Sequence, residues 1–137
     1  MAREIHRALI VEDSRLTRDL IELAIGHSAK TEIVEAEDGA QAIAALQSGG
    51  VDVIIMDWKM DAMDGLECTR RIRAGIDGVN PKTPILLLTG ADGSESEDEA
   101  YAAGVDLFMK KPFSLKQLHF GLNKVLSADQ ANVTGSS

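Results

Sequence analysis

The 137-residue chain predicts an α/β fold, a doubly wound, five-stranded parallel sheet with helices on both faces. Three observations carry that expectation. Short apolar stretches alternate five times with stretches of helical spacing. The apolar stretches are continuous and rich in β-branched residues, as in Val53-Ile54-Ile55, which marks strands buried on both faces. They end abruptly in charged or hydroxyl residues, and in a parallel sheet the C-terminal strand ends are where ligands bind. Right-handed crossovers then place the helices on both faces.

Ala8-Leu9-Ile10-Val11 is the first strand and ends in Glu12-Asp13. Two neighbouring acids repel; a cation or a functional need holds such a pair, and two solvated loop acids are the plainer alternative. Ser14 reads as an N-cap for a helix with Leu16, Leu20, Leu23 and Ala24 at apolar spacing, and His27 at its end as a dipole partner. Residues 31–36 alternate as a strand, and Glu37-Asp38-Gly39 turns. An alanine-rich helix follows from Gly39 to Gln47, with Ile43 and Leu46 on its apolar face and Ser48-Gly49-Gly50 closing it.

The central strand, Val53 to Met56, ends in Asp57, and a loop of acids and methionines runs on to Gly65. On this stretch alone Asp57 reads as a turn or cap residue. Leu66 to Ala74 is helical, with Arg70, Arg71 and Arg73 as a solvated face and Glu67 spaced to pair with Arg71. Residues 75–83 carry Gly, Asn and Pro81 and form a loop. Pro84 to Thr89 is a buried strand ending in a hydroxyl, and residues 90–93 turn. The next helix, Ser94 to Ala103, has a Ser94/Glu97 capping box and is crowded by Glu95, Glu97, Asp98 and Glu99. With only Ala100, Tyr101 and Ala103 to bury, it is expected to be the most weakly held. Val105 to Met109 is the last strand, running into Lys110-Lys111-Pro112. Ser114 and Gln117 form a second capping box, and Leu115, Leu118, Leu122, Val125 and Leu126 share one helix face.

One domain is expected over residues 1–126, with 127–137 a flexible tail of small, polar residues. The tail's Asn132-Val133-Thr134 is a chance match to a glycosylation acceptor. A net charge of -8 disfavours non-specific nucleic-acid binding while leaving room for a local basic patch. No run approaches a membrane span, and the N-terminus lacks a signal-peptide core. A single cysteine, Cys68, leaves no internal disulfide and no zinc spacing, so the cytoplasm is the expected compartment.

The strand ends gather Glu12 and Asp13, Asp57, Thr89 and Lys111 at one edge. Three carboxylates make a hard-oxygen site suited to a Mg²⁺ that keeps several waters. A hydroxyl and an ammonium opposite them can hold phosphoryl oxygens. Asp57 stands between as a nucleophile able to form an acyl phosphate. Lys111 also serves as counterion to the acids at rest.

The chain resembles the receiver domains of two-component response regulators, and more narrowly the small single-domain chemotaxis regulators. The matching residues are Val-Glu-Asp-Ser (11–14), Glu-Ala-Glu-Asp-Gly (35–39), Asp-Trp-Lys-Met with Met-Asp-Gly-Leu-Glu (57–67), Leu-Leu-Thr-Gly (87–90), Ala-Gly-Val-Asp (103–106) and Lys-Lys-Pro-Phe (110–113). The resemblance implies a flavodoxin-like strand order of 2-1-3-4-5. It implies Asp57 as phosphoacceptor, Asp13, Asp57 and the Lys59 backbone carbonyl as direct Mg²⁺ ligands, and Glu12 acting through water. Thr89 and Lys111 would contact the phosphoryl group, with Lys111–Pro112 cis. Phe108 would change rotamer with Thr89; plain core packing is the alternative.

Two departures stand out. Lys59 occupies a position where smaller or amide side chains are frequent, bringing an ammonium that competes with metal at rest or screens phosphoryl charge afterwards. Asp61 replaces a proline common in this loop, removing a φ constraint and adding a charge. The acidic helix also lacks the apolar face that flagellar-motor partners of the family engage, which lowers the expectation of a motor-switch role.

The expected function is therefore a monomeric, single-domain response regulator, not an enzyme on other substrates. A histidine kinase or phosphotransfer protein donates to Asp57, and a downstream protein reads the changed surface. A phosphate sink or phosphorelay intermediate is an alternative, as is a phosphorylation-independent binding module. An Asp-x-Asp phosphohydrolase is disfavoured because Lys59 stands where that chemistry needs a second acid. No Walker or Gly-x-Gly-x-x-Gly loop follows the first strand.

Overall fold

The computed structural model describes residues 5–26, 31–90 and 96–135, with side chains described as far as residue 127. Strands and helices alternate: β1 (Arg7–Val11), α1 (Arg15–Ile25), β2 (Glu32–Ala36), α2 (Gly39–Ser48), β3 (Val53–Asp57), α3 (Gly65–Ala74), β4 (Ile85–Thr89), α4 (Glu97–Ala103), β5 (Leu107–Lys110) and α5 (Leu115–Gly135). The strands form one parallel sheet in the order β2-β1-β3-β4-β5, as expected.

The continuous apolar strands supply two cores at once. Alternate residues point to opposite faces of a strand, so each run must be apolar throughout to serve both. Leu9, Val11, Ile54, Met56, Ile85 and Leu87 face α2, α3 and α4. Ala8, Ile10, Val53, Ile55, Leu86 and Leu88 face α1 and α5. Cys68 lies in the first core, its thiol 3.8 Å from the carbonyl of Gly39 and pushed up to about 12 by burial.

Local chemistry sets the element ends. Ser14, Asp38 and Asp64 cap α1, α2 and α3 by accepting from the amides of Thr17, Gln41 and Glu67. The Ser114/Gln117 box is closed in both directions, at 3.0 and 2.8 Å. Glu67 pairs with Arg71 at 2.8 Å.

Several expectations are corrected: Leu115 is exposed rather than on the buried face of α5, and Arg73 folds back onto the carbonyls of Gly104, Pro81 and Thr83 instead of facing solvent. In α1 the face toward the sheet is Ile21 and Ala24; Leu16 and Leu23 are 83% and 57% exposed. Helical spacing alone fits two neighbouring stripes here, and the packing angle on the sheet selects one of them. In α4 the cap is Ser96, which accepts from Glu99, two residues after the expected position. Ser-x-x-Glu occurs in both registers, so the pattern could not choose. Ser94, the 91–93 turn and His27 lie outside the described residues. β5 is Leu107–Lys110 rather than 105–109, because Val105 and Asp106 bond back to Ala100 and Ile85 as the turn out of α4. Finally, α5 continues to Gly135 instead of ending at Leu126. Residues 127–134 hold Ala and Gln and no Gly or Pro, so nothing local stops the helix before Gly135.

Candidate functional site

All five predicted side chains meet at one edge of the sheet. β1 and β3 lie side by side, so their last residues place Glu12 next to Asp57. The amide of Trp58 donates to Leu88 at 2.8 Å, which carries the β3–β4 pairing past the strand end and fixes Asp57. The amide of Lys111 donates to Thr89 at 2.9 Å, doing the same for β5. The Lys111–Pro112 bond is cis.

Glu12, Asp13 and Asp57 each offer a carboxylate oxygen within 4.8 Å of the others. Glu12 and Asp57 are buried, and Asp13 is exposed. Lys111 Nζ lies 2.9 Å from Glu12 Oε1 and 3.3 Å from Asp57 Oδ2. The other Glu12 oxygen accepts from the amide of Ser14 at 3.0 Å. Three formal negative charges thus gather beside Lys111, which bonds two of them. That excess, on hard oxygen donors with one acid open to solvent, fits a divalent cation such as Mg²⁺.

The electrostatics agree. Burial, and then the Glu12 carboxylate, push Asp57 up to about 6, although Lys111 pulls the other way. Burial opposes the Lys111 charge, but its bond to Glu12 and the Asp57 charge outweigh that and raise its pKa. Thr89 is 1% exposed, and its hydroxyl oxygen is buried without a hydrogen-bond partner. A buried orphan hydroxyl is costly unless something comes to use it.

Phe108 is partly buried, its ring edge-on to Trp58 with centroids 6.3 Å apart. Its amide donates to the hydroxyl of Tyr101 on α4 at 3.2 Å. Lys59 and Asp61 are exposed on the β3–α3 connection, as is Lys110 on β5. Sequence reasoning missed Arg18, which donates to the Glu12 carbonyl at 2.8 Å and pairs with Glu35 at 3.2 Å. It also missed the contact between Trp58 and Phe108 and the close approaches at Gly39 and Gly65. A glycine opening a helix beside an acidic motif was the available signal for the latter.

The sequence matches the family model "response regulator receiver domain" over residues 8–123. It is 35% identical over 112 residues to the transcriptional regulatory protein TrcR of Mycobacterium tuberculosis, covering 82% of this chain and 42% of that protein. It is 32% identical over 119 residues to the chemotaxis protein CheY of Pseudomonas aeruginosa, covering 87% and 94%. The chemotaxis response regulator CheY4 of Vibrio cholerae superposes with a TM-score of 0.76 at 33% identity, over 89% of this chain and 99% of that one.

Proposed function

The chain belongs to the response regulator receiver domain family, and from that premise we propose that Asp57 accepts a phosphoryl group from the phosphohistidine of a histidine kinase or phosphotransfer protein. An Asp57 carboxylate oxygen attacks phosphorus, the phosphorus–nitrogen bond breaks, and the imidazole leaves with its electron pair and takes up a proton. An acyl phosphate remains on Asp57. Bound Mg²⁺, held by Asp13, Asp57 and the Lys59 carbonyl with Glu12 acting through water, would neutralise the phosphoryl oxygens as they approach the acids.

The observation that carries this reading is the unpartnered, buried hydroxyl of Thr89. It supplies a donor on the side of the site away from the acids, where phosphoryl oxygens would lie. Lys111 is the second donor: it already bridges Glu12 and Asp57, and it can follow the charge from carboxylate to phosphoryl. Phe108, packed on Trp58, can occupy the space Thr89 leaves on moving toward the phosphoryl group, which alters the β5 edge and α4.

In this reading the chain works as a monomeric, stand-alone regulator in the cytoplasm, and its output is a changed surface read by another protein. It catalyses only its own phosphorylation and dephosphorylation, with no part for nucleic acid or membrane. No helix among the described residues is long and apolar enough to cross a membrane.

Intact-mass spectrometry after incubation with Mg²⁺ and acetyl phosphate tests the reading. The expected result is one added phosphoryl group in the parent and none in Asp57→Asn, with loss of the addition when Mg²⁺ is removed. An unmodified parent, also unmodified by a cognate kinase, would leave a phosphorylation-independent binding module as the function.

A further inference from the structure

The connection between β3 and α3 is held at two glycines. The amide of Gly65 donates to the Trp58 carbonyl at 2.8 Å, and a Cβ on Gly65 would collide with the carbonyl oxygen of Asp57. The amide of Gly39, the first residue of α2, donates to the Met63 carbonyl at 2.9 Å. A Cβ on Gly39 would stand 2.7 Å from that same oxygen and 2.9 Å from both Met63 Cβ and Cγ. Backbone oxygen cannot swing aside as a side-chain end can, so Met63 would have to move.

Bonds hold the connection on either side of Met63. Trp58 is tied to Leu88, Asp64 caps α3, and Gly65 is tied to Trp58. Residues 59–62 lie between these ties, with Met60 packed on the core, and a shift of Met63 bears first on them. That segment carries Lys59, whose carbonyl is the proposed metal ligand, so this inference rests on the reading of the site given above.

We propose that Gly39 is a positioning residue for the site: by letting the Met63 carbonyl dock on the first amide of α2, it sets where the Lys59 carbonyl stands against the acids. Gly39 touches neither the metal nor the phosphoryl group. Its backbone needs no unusual φ, so the demand for glycine is one of space. The second helix, which contributes no ligand, thereby becomes the support of the loop that does.

The test titrates Mg²⁺ into the parent, Gly39→Ala and Gly121→Ala, following the fluorescence of Trp58, the only tryptophan. Gly121→Ala is the control for crowding alone: its Cβ would stand 2.8 Å from Met109 Cε on the outer edge of the sheet. Circular dichroism establishes the folded fraction of each. The expected result is a Kd for Mg²⁺ weakened about tenfold or more in Gly39→Ala, as for other outer-shell supports, and unchanged in Gly121→Ala. Equal affinity in folded Gly39→Ala would overturn the inference while leaving the metal site intact. A parent that binds no Mg²⁺ would instead overturn the site reading and this inference with it.

A measurement on the parent alone decides the matter if Gly39→Ala does not fold. Saturating Mg²⁺ should slow hydrogen exchange at the Gly39 amide by about tenfold or more, because a fixed loop holds its acceptor in place. Unchanged exchange at Gly39 with Mg²⁺ bound would sink the proposal.

Discussion

The β3–α3 connection and α4 flank the same end of the sheet, and the irregular one is the better held. The connection has no helix or strand between Asp57 and Gly65, yet backbone bonds at Trp58, Met63 and Gly65 tie it to β4, α2 and its own far end. α4 is regular over seven residues and buries only Ala100 and Ala103. Among the described residues it is also tied by the Phe108 amide to the Tyr101 hydroxyl, by a half-exposed Arg70–Glu99 pair at 3.8 Å, and by Arg73 bonded to Gly104 at its C-terminal end. Fixity here follows from where the backbone bonds go, not from secondary structure. Under the proposed function, the metal site gains from the first arrangement and the switching surface from the second.

The strongest way to break the contrast is Gly65→Ala. Its Cβ would collide with the carbonyl oxygen of Asp57 and press on Leu87. Loss of more than about 3 kcal/mol is expected from urea unfolding, at the upper end of overpacking costs. A loss under 1 kcal/mol would mean that the connection yields as easily as α4.

Asp57→Asn sharpens the comparison in the other direction, since function rather than stability keeps that acid buried. The folded carboxyl keeps its proton up to about pH 6, against 3.8 as the reference value. Between those values the folded state binds more protons, so this group lowers stability as pH rises through the window. The asparagine variant should therefore be more stable than the parent by about 2–3 kcal/mol at pH 8 without Mg²⁺, and the gain should vanish by about pH 4. Urea midpoints across pH would show it; a destabilised variant at pH 8 would mean that Lys111 more than compensates the burial.

Tyr101→Phe removes one tie of α4 and leaves the connection alone. A cost of about 0.5–1 kcal/mol is expected, with amide exchange faster in α4 and unchanged at Gly65. Smallest is Glu97→Gln in the first turn of α4. Loss of one acid at a helix N-terminus should cost about 0.3 kcal/mol at low salt and nothing measurable in 1 M NaCl. Thermal melts at both salt concentrations would register it; a stabilised variant would show that repulsion among Glu97, Asp98 and Glu99 dominates the dipole.

Most of this architecture is written in local pattern. Apolar runs that must feed two cores cannot be mistaken for half-buried strands, and their polar ends locate Glu12, Asp57, Thr89 and Lys111 without a structure. What the pattern could not decide was rotation and register. Leu16 and Leu23 are spaced as well as Ile21 for burial, and only the seating of α1 on the sheet separates them. Ser94 and Ser96 both precede a glutamate by three. The supports of the site, Arg18 on the Glu12 carbonyl and Gly39 on Met63, act between residues distant in sequence or through backbone atoms, which residue identity does not reveal.

Cys68 gives the molecule its own stopwatch. The thiol, on the buried face of α3, lies against the Gly39 carbonyl, and its high pKa leaves almost no thiolate at neutral pH. An alkylating reagent can therefore modify it only when the α2–α3 face opens. The rate of labelling reads the frequency of that opening, at the start of α2 to which the β3–α3 connection is bonded, and it needs no engineered probe.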